Sequence, residues 1–119
     1  DHPGVINLGF RRDMPALYAA ADAAILASKY EAFGLVGPES ILCGTPVLLA
    51  NTVGAVEVLS ESACLRFDRT VGSLRVALKK ALERFDAGQL VLENPAEHIL
   101  YPYSIDAHLD ALIKHLSAR

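Results

Sequence analysis

Four short apolar runs divide the sequence, and residues with helical signals lie between them. The second and third runs do not alternate apolar with polar residues, a pattern typical of strands that are covered on both faces in a parallel sheet. The spacing of the runs leaves room for one crossover helix between successive strands. We therefore expect an α/β fold with a parallel sheet of about four strands, formed by Val5–Leu8, Ala23–Leu26, Pro46–Ala50 and Ala63–Phe67.

Two short helices are predicted on either side of the second run. Asp13 stands directly before Met14-Pro15, and we expect its side chain to cap the first of these helices. The second is expected to open at Gly37-Pro38 and to end at Gly44, since glycine commonly terminates a helix. Each helix would connect one predicted strand to the next.

The last third of the chain is predicted to be helical. An apolar stripe at helical spacing ends at Gly88, and Ser104 is a suitable N-cap for a C-terminal helix over residues 104–118. The apolar residues of the first helix form one stripe, and those of the second are expected to face inward. These residues are Val71, Leu74, Leu78, Ala81, Leu82 and Phe85 in the first helix, and Ile105, Leu109, Leu112, Ile113 and Leu116 in the second.

The length of 119 residues predicts a single domain that spans residues 1–119. Apolar residues make up 52% of the chain, and once the glycines are counted this exceeds the usual share in a globular domain. The excess argues against disorder. It also indicates that part of the apolar surface meets another molecule or another part of a protein.

Charge and cysteine content exclude several classes of partner. The net charge of −3 gives no basic footprint for nucleic acid, and no apolar run reaches the roughly 18 residues that a membrane span needs. Cys43 and Cys64 lie in apolar surroundings and are expected to be reduced thiols in a cytoplasmic protein. No histidine stands at metal-ligand spacing from a carboxylate, so we expect no metal site.

The segment Ser28–Glu39 holds the densest group of polar residues and begins where a predicted central strand ends. Ligands of open α/β sheets bind beyond the carboxyl ends of the strands, and glycines let backbone N–H groups approach an anion such as a diphosphate. Glu31 and Glu39 could each accept two hydrogen bonds from a diol. Phosphate beside hydroxyl groups is what a nucleotide sugar presents. However, a glutamate in a first helical turn and a Gly-Pro helix start are also common for stability alone, so these residues leave both interpretations open.

Three segments taken in order resemble the donor-binding domain of retaining GT-B glycosyltransferases, glycosyltransferase family 4 (group 1). Two glutamates, Glu31 and Glu39, are separated by seven residues around Phe33-Gly34-Leu35. They are followed by Gly44-Thr45-Pro46-Val47 and then by the loop Val53–Val58. The resemblance spans roughly residues 5–116. A lone pair of glutamates would be weak evidence, whereas this ordered set is specific.

The resemblance implies a role for each matching residue. Glu31 would contact the transferred sugar near the reaction centre, as the catalytic carboxylate, and Glu39 would accept hydrogen bonds from the ribose hydroxyls. The donor would be a UDP-, GDP- or ADP-sugar, transferred with retained configuration and without a metal ion or other cofactor in this domain. Backbone amides would contact the sugar or its diphosphate at the remaining donor-binding residues, Phe33, Gly34, Leu35 and Val36.

The resemblance also implies that the chain represents only part of such an enzyme. The family's donor domain begins with two further strand–helix units, and a separate N-terminal domain holds the acceptor. We therefore expect a Rossmann-like three-layer sheet that forms the second half of a GT-B C-terminal domain, ends in a C-terminal helix and is inactive alone. The full-length enzyme would be cytoplasmic or peripheral to the inner face of a membrane.

The missing units have a consequence for the sheet. In the family's strand order the strand at Val5 is separated from the strand at Ala23 by two strands that have no match here. The two strands would either pair directly or leave a gap for another copy, which would make the chain a homo-oligomer.

A non-catalytic α/β binding or assembly module, derived from a glycosyltransferase, is the alternative. The unmatched half favours it, as does the loop Val53–Glu57, which has one glycine where the family usually has two. The retained pair Glu31 and Glu39 favours the enzyme, since a module without sugar chemistry needs neither.

Overall fold

The computed structural model describes residues 2–101 and 104–118 and is built on a sheet of three parallel strands. These are β1 (Ala24–Leu26), β2 (Val47–Ala50) and β3 (Cys64–Phe67), which lie side by side in that order. Four α-helices, α1 (Met14–Ala19), α2 (Val36–Leu42), α3 (Val71–Asp86) and α4 (Ile105–Ser117), accompany the sheet in the described part of the chain. The predicted α/β class, the parallel sheet and the C-terminal helix are confirmed.

The core lies around β2, whose four residues are all buried. Because β2 is the central strand of the three, it is hydrogen-bonded on both sides, with Val47 opposite Ala24 of β1 and opposite Cys64 of β3. Helix α2 packs against β1 and β2, and α3 packs against β3. An uninterrupted apolar run is what such a strand requires.

β1 is only half-buried, contrary to the prediction that it is covered on both faces. Ile25 is 47% exposed, and the strand pairs with β2 alone in the described part of the chain. Its other edge has no neighbouring strand there, so the backbone on that side is not part of a ladder.

The prediction of a strand at Val5–Leu8 is wrong. These residues form no ladder in the described chain, and Val5, Ile6 and Leu8 are exposed. A strand is stabilised by pairing and by packing of its faces, and here neither is available. Of the two alternatives, direct pairing of this segment with the strand at Ala23 does not occur in the described chain.

The helix ends agree with the sequence except at two points. The Ser104 hydroxyl accepts a hydrogen bond from the Ala107 N–H at 3.2 Å, as predicted for the cap of α4. The Asp13 carboxylate does not cap α1, because it accepts a hydrogen bond from Arg11 Nε at 2.8 Å instead. Helix α2 begins at Val36, slightly before the predicted start, and Gly44 follows its end with φ of 85°.

The apolar stripes of α3 and α4 are mostly exposed, and the prediction that the α4 residues face inward is wrong. Ala77 and Ala81 are the buried residues of α3, and the described part of α4 has none. A cavity of about 370 Å³ lies between Ala23, beside β1, and Leu78, Leu82 and Phe85 of α3. Part of the α3 stripe therefore lines an apolar cavity next to the residues that precede β1.

The sequence also led to expectations about the two cysteines and about membrane-spanning segments. Cys43 and Cys64 are free, and burial raises the pKa of the Cys64 thiol to about 11. Within residues 2–101 and 104–118, no helix is long and apolar enough to cross a membrane.

Candidate functional site

The loops that follow β1 and β2 lie together at the carboxyl edge of the sheet. Glu31 and Val53 form an isolated parallel bridge, and the Ala55 N–H donates to the Phe33 carbonyl at 2.7 Å. The Thr52 hydroxyl donates to the Ser28 carbonyl at 2.8 Å. The loop after β2 (the second loop) therefore supports the loop after β1 (the first loop), which carries Glu31. The sequence did not predict this support.

Two glycines make this close approach possible. A Cβ at Gly54 would lie 2.2 Å from the Ala32 carbonyl oxygen, which is backbone and cannot move aside easily. Gly34 has φ of 87°, and a Cβ there would lie 2.5 Å from Val53 Cγ1. The single glycine of the second loop thus lies directly against the backbone of the first loop.

Four consecutive backbone donors are free in the first loop. The N–H groups of residues 33–36 donate to no acceptor in the described part of the chain. By contrast, the Gly37 N–H donates to the Gly34 carbonyl at 3.0 Å, and the Glu39 N–H donates to the Leu35 carbonyl at 2.9 Å. Free N–H groups on a supported loop can bind an anion or a hydroxyl oxygen.

The two predicted carboxylates are placed at either end of this row of donors. Glu31 is half-buried in the loop, and Glu39 is exposed in the first turn of α2. No lysine or arginine forms an ion pair with either carboxylate among the residues that the structure describes. Neither carboxylate is therefore neutralised by a cation of the described chain. Because α2 has only seven residues, its dipole adds little to anion binding.

Buried polar residues behind Glu39 form a connected group. The Tyr18 hydroxyl lies 3.5 Å from Glu39 Oε2, and the Tyr18 carbonyl accepts a hydrogen bond of 2.6 Å from Thr45 Oγ1. Ser40 Oγ in turn donates to the Thr45 carbonyl at 2.9 Å. The sequence did not predict this group, because Tyr18 fits the apolar face of α1 equally well.

The side chains of Phe33 and Leu35 face an apolar cavity. This cavity has a volume of about 670 Å³ and is also lined by residues of α2 and α4 and by Tyr101. Neither Glu31 nor Glu39 lines it. Phe33 and Leu35 therefore offer their backbone N–H groups, and not their side chains, to a ligand that also binds Glu31 and Glu39.

Two basic side chains close in sequence to the site contact other side chains. Arg11 pairs with Asp13, and the Lys29 ammonium lies 5.4 Å from the ring centre of Tyr30. Among residues 2–101 and 104–118, no group of three His, Cys, Asp or Glu side chains could hold a metal ion.

Comparison with known proteins agrees with the geometry. Residues 3–84 match the family described as glycosyl transferases group 1. The chain is 41% identical over 110 residues to a probable transglycosylase of Burkholderia thailandensis, a match that covers 89% of this chain and 30% of the relative. It is 32% identical over 71 residues to the O-antigen chain mannosyltransferase B of Escherichia coli, covering 60% of this chain and 19% of the relative.

Solved structures share the fold. An Anabaena protein, HepE, crystallised in complex with UDP, superposes with a TM-score of 0.73 at 26% identity over 94% of this chain and 32% of that one. Sucrose-phosphate synthase from Thermosynechococcus elongatus superposes with a TM-score of 0.65 at 27% identity over 86% of this chain and 27% of that one. The chain thus spans about a third or less of the length of these proteins.

Proposed function

The chain belongs to the group 1 glycosyl transferases, and we propose that it supplies the donor-binding half of an enzyme that transfers a sugar from a nucleotide sugar with retained configuration. The observation that carries the proposal is the row of free N–H groups at residues 33–36, flanked by the carboxylates of Glu31 and Glu39. Such a row offers donors to a diphosphate or a sugar oxygen and acceptors to hydroxyl groups on either side.

Glu39 is proposed to bind the ribose. A carboxylate accepts two hydrogen bonds and therefore suits the adjacent hydroxyls of a nucleoside. Glu39 is exposed and forms no ion pair in the described part of the chain. One of its oxygens, Oε2, lies 3.5 Å from the Tyr18 hydroxyl, and Oε1 is open to the ribose. The UDP in the complex of the Anabaena relative is a ligand with such a ribose.

Glu31 is proposed to act at the transferred sugar, as the catalytic carboxylate. Cleavage of the sugar–phosphate bond places positive charge on the sugar and negative charge on the departing diphosphate. A carboxylate that faces the sugar stabilises the first charge, and the backbone N–H groups of Phe33, Gly34, Leu35 and Val36 stabilise the second. This chemistry requires no metal ion in the domain.

The chain is proposed to be inactive by itself. Transfer requires positioning of two substrates and neutralisation of the diphosphate, and the chain covers only 30% of the length of a relative that it matches. The cationic groups and the acceptor site would come from an N-terminal acceptor domain and from the rest of the donor domain. These missing parts are the proposed partners of this surface.

Saturation-transfer NMR on this chain, with UDP-glucose, UDP-N-acetylglucosamine, GDP-mannose and ADP-glucose, tests the proposal. We expect transfer to the ribose and sugar protons of one donor, and loss of that transfer in Glu39→Gln, because the amide accepts one fewer hydrogen bond and carries no charge. Glu83→Gln is the matched control, since Glu83 is an exposed carboxylate on α3. Its spectra should equal those of the wild type.

Two results would contradict the proposal. Unchanged donor binding in Glu39→Gln would favour the non-catalytic module, in which the glutamate pair has no ligand role. Absence of transfer from every donor would contradict the proposal that this stretch of chain forms a donor-binding site.

A further inference from the structure

We propose that Tyr18 is a positioning residue that holds Glu39 in the orientation that the donor nucleotide requires. The proposal rests on the proposed role of Glu39 in ribose binding. Tyr18 lies on α1 and belongs to no part of the motif that surrounds the two glutamates.

The contact joins a buried donor, the Tyr18 hydroxyl, to an exposed acceptor, the Glu39 carboxylate. Tyr18 is 6% exposed, and its hydroxyl lies 3.5 Å from Glu39 Oε2, its hydrogen-bond partner within the described chain. Glu39 is exposed, and an exposed glutamate otherwise samples several rotamers. A hydrogen bond from a buried phenol to one carboxylate oxygen reduces that freedom and leaves Oε1 for the ligand.

Tyr18 is itself held by buried polar groups. Its carbonyl accepts the 2.6 Å hydrogen bond from Thr45 Oγ1, and Ser40 Oγ donates to the Thr45 carbonyl at 2.9 Å. Ser40 and Thr45 are both buried. Ser40 and Glu39 are neighbours on α2, so the same group of bonds fixes α1 relative to the helix that carries the carboxylate.

The electrostatics agree with this arrangement. Burial raises the pKa of Tyr18, and the negative charge of Glu39 raises it further. The phenol therefore remains protonated at neutral pH and acts as a hydrogen-bond donor. At 3.5 Å the hydrogen bond is long, so we expect removal of the Tyr18 hydroxyl to change the free energy of unfolding little. Its effect is expected on ligand binding, through the orientation of Glu39.

The contact can be measured without any ligand. In tyrosine-labelled protein followed by NMR, we expect Tyr18 to titrate at lower pH in Glu39→Gln than in the wild type, because the charge that opposes phenolate formation has been removed. Glu83→Gln, on α3, should leave the Tyr18 titration unchanged. An unchanged titration in Glu39→Gln would overturn the proposal.

The role in binding is measured with UDP or whichever nucleotide the wild-type chain binds best. We expect Tyr18→Phe to weaken binding about 2–10-fold, the effect of one hydrogen bond, with an unchanged thermal midpoint. Glu83→Gln on α3 is the control and should bind as the wild type does. Thr45→Ser should also retain affinity, because serine keeps the hydroxyl that holds the Tyr18 carbonyl.

The two proposals fail in different ways. If Glu39→Gln weakens nucleotide binding but Tyr18→Phe does not, Tyr18 has only a structural role and the positioning proposal is overturned while the proposed function stands. If the wild-type chain binds no nucleotide, the proposed function is overturned together with the binding role of Tyr18. The titration then shows whether the contact itself exists.

Discussion

Gly54 determines how closely the two loops at the carboxyl edge approach each other. A Cβ at this position would lie 2.2 Å from the Ala32 carbonyl oxygen, so Gly54→Ala must push the loop that carries Glu31 away or break the Ala55–Phe33 hydrogen bond. We expect this substitution to lower the free energy of unfolding by about 1–3 kcal/mol and to weaken nucleotide binding. Chemical denaturation and a nucleotide titration measure the two effects.

Gly72 provides the matched control for that substitution. It lies in α3, where an added Cβ would meet no atom within 4 Å. Gly72→Ala should therefore be neutral or raise stability by up to about 1 kcal/mol, because alanine favours a helix. Equal losses of stability in Gly54→Ala and Gly72→Ala would contradict the interpretation that the contact with Ala32 causes the destabilisation.

Single residues also show how far the sequence could predict the site. The spacing of Glu31 and Glu39 around Phe33-Gly34-Leu35 is visible in the sequence, and so is their place after a strand. The contact of Gly54 with Ala32 and that of Tyr18 with Glu39 are not visible, since each joins residues about 20 positions apart. Such contacts depend on how the loops and helices pack, which hydrophobic periodicity does not specify.

At the scale of elements, α3 shows that an apolar sequence pattern does not by itself bury the residues that form it. Leu82 belongs to the apolar stripe of α3 but is 60% exposed, whereas Leu48 of β2 is fully buried. We expect Leu82→Ala to change the free energy of unfolding by less than about 1 kcal/mol and Leu48→Ala to lower it by about 2–5 kcal/mol. Urea denaturation of both variants measures the difference. A loss of several kcal/mol in Leu82→Ala would mean that the stripe is covered in solution.

The strands show the same limit of sequence-based prediction. Val5–Leu8 and Val47–Ala50 are both apolar runs, yet only the second forms a strand. β2 has a neighbour on each side, whereas the first run has none in the described chain. An apolar run predicts that a segment is suited to a sheet. Whether it enters one depends on a partner elsewhere in the molecule.

At the scale of the whole molecule, the exposed apolar surface is continuous with the open side of the sheet. Asp22 and Ala23, directly before β1, line the same cavity as the α3 stripe, and β1 is an edge strand of the described sheet. The high apolar content of the sequence predicted such a surface but not its location. Its position depends on how the helices pack on the strands, which the apolar content does not specify.

The open edge leads to a prediction about self-association. An unpaired strand edge beside apolar side chains is a template for another chain, so we expect this chain to self-associate as its concentration rises from micromolar to several hundred micromolar. Ile25→Lys, which puts a charge on the half-exposed residue of β1, should keep the chain monomeric. Leu112→Lys on α4 is the matched control and should associate as the wild type does, if the edge is the contact. Sedimentation velocity measures all three proteins. A wild-type chain that remains monomeric throughout would contradict the prediction, and a loss of association in Leu112→Lys alone would place the contact on α4 instead of the edge of β1.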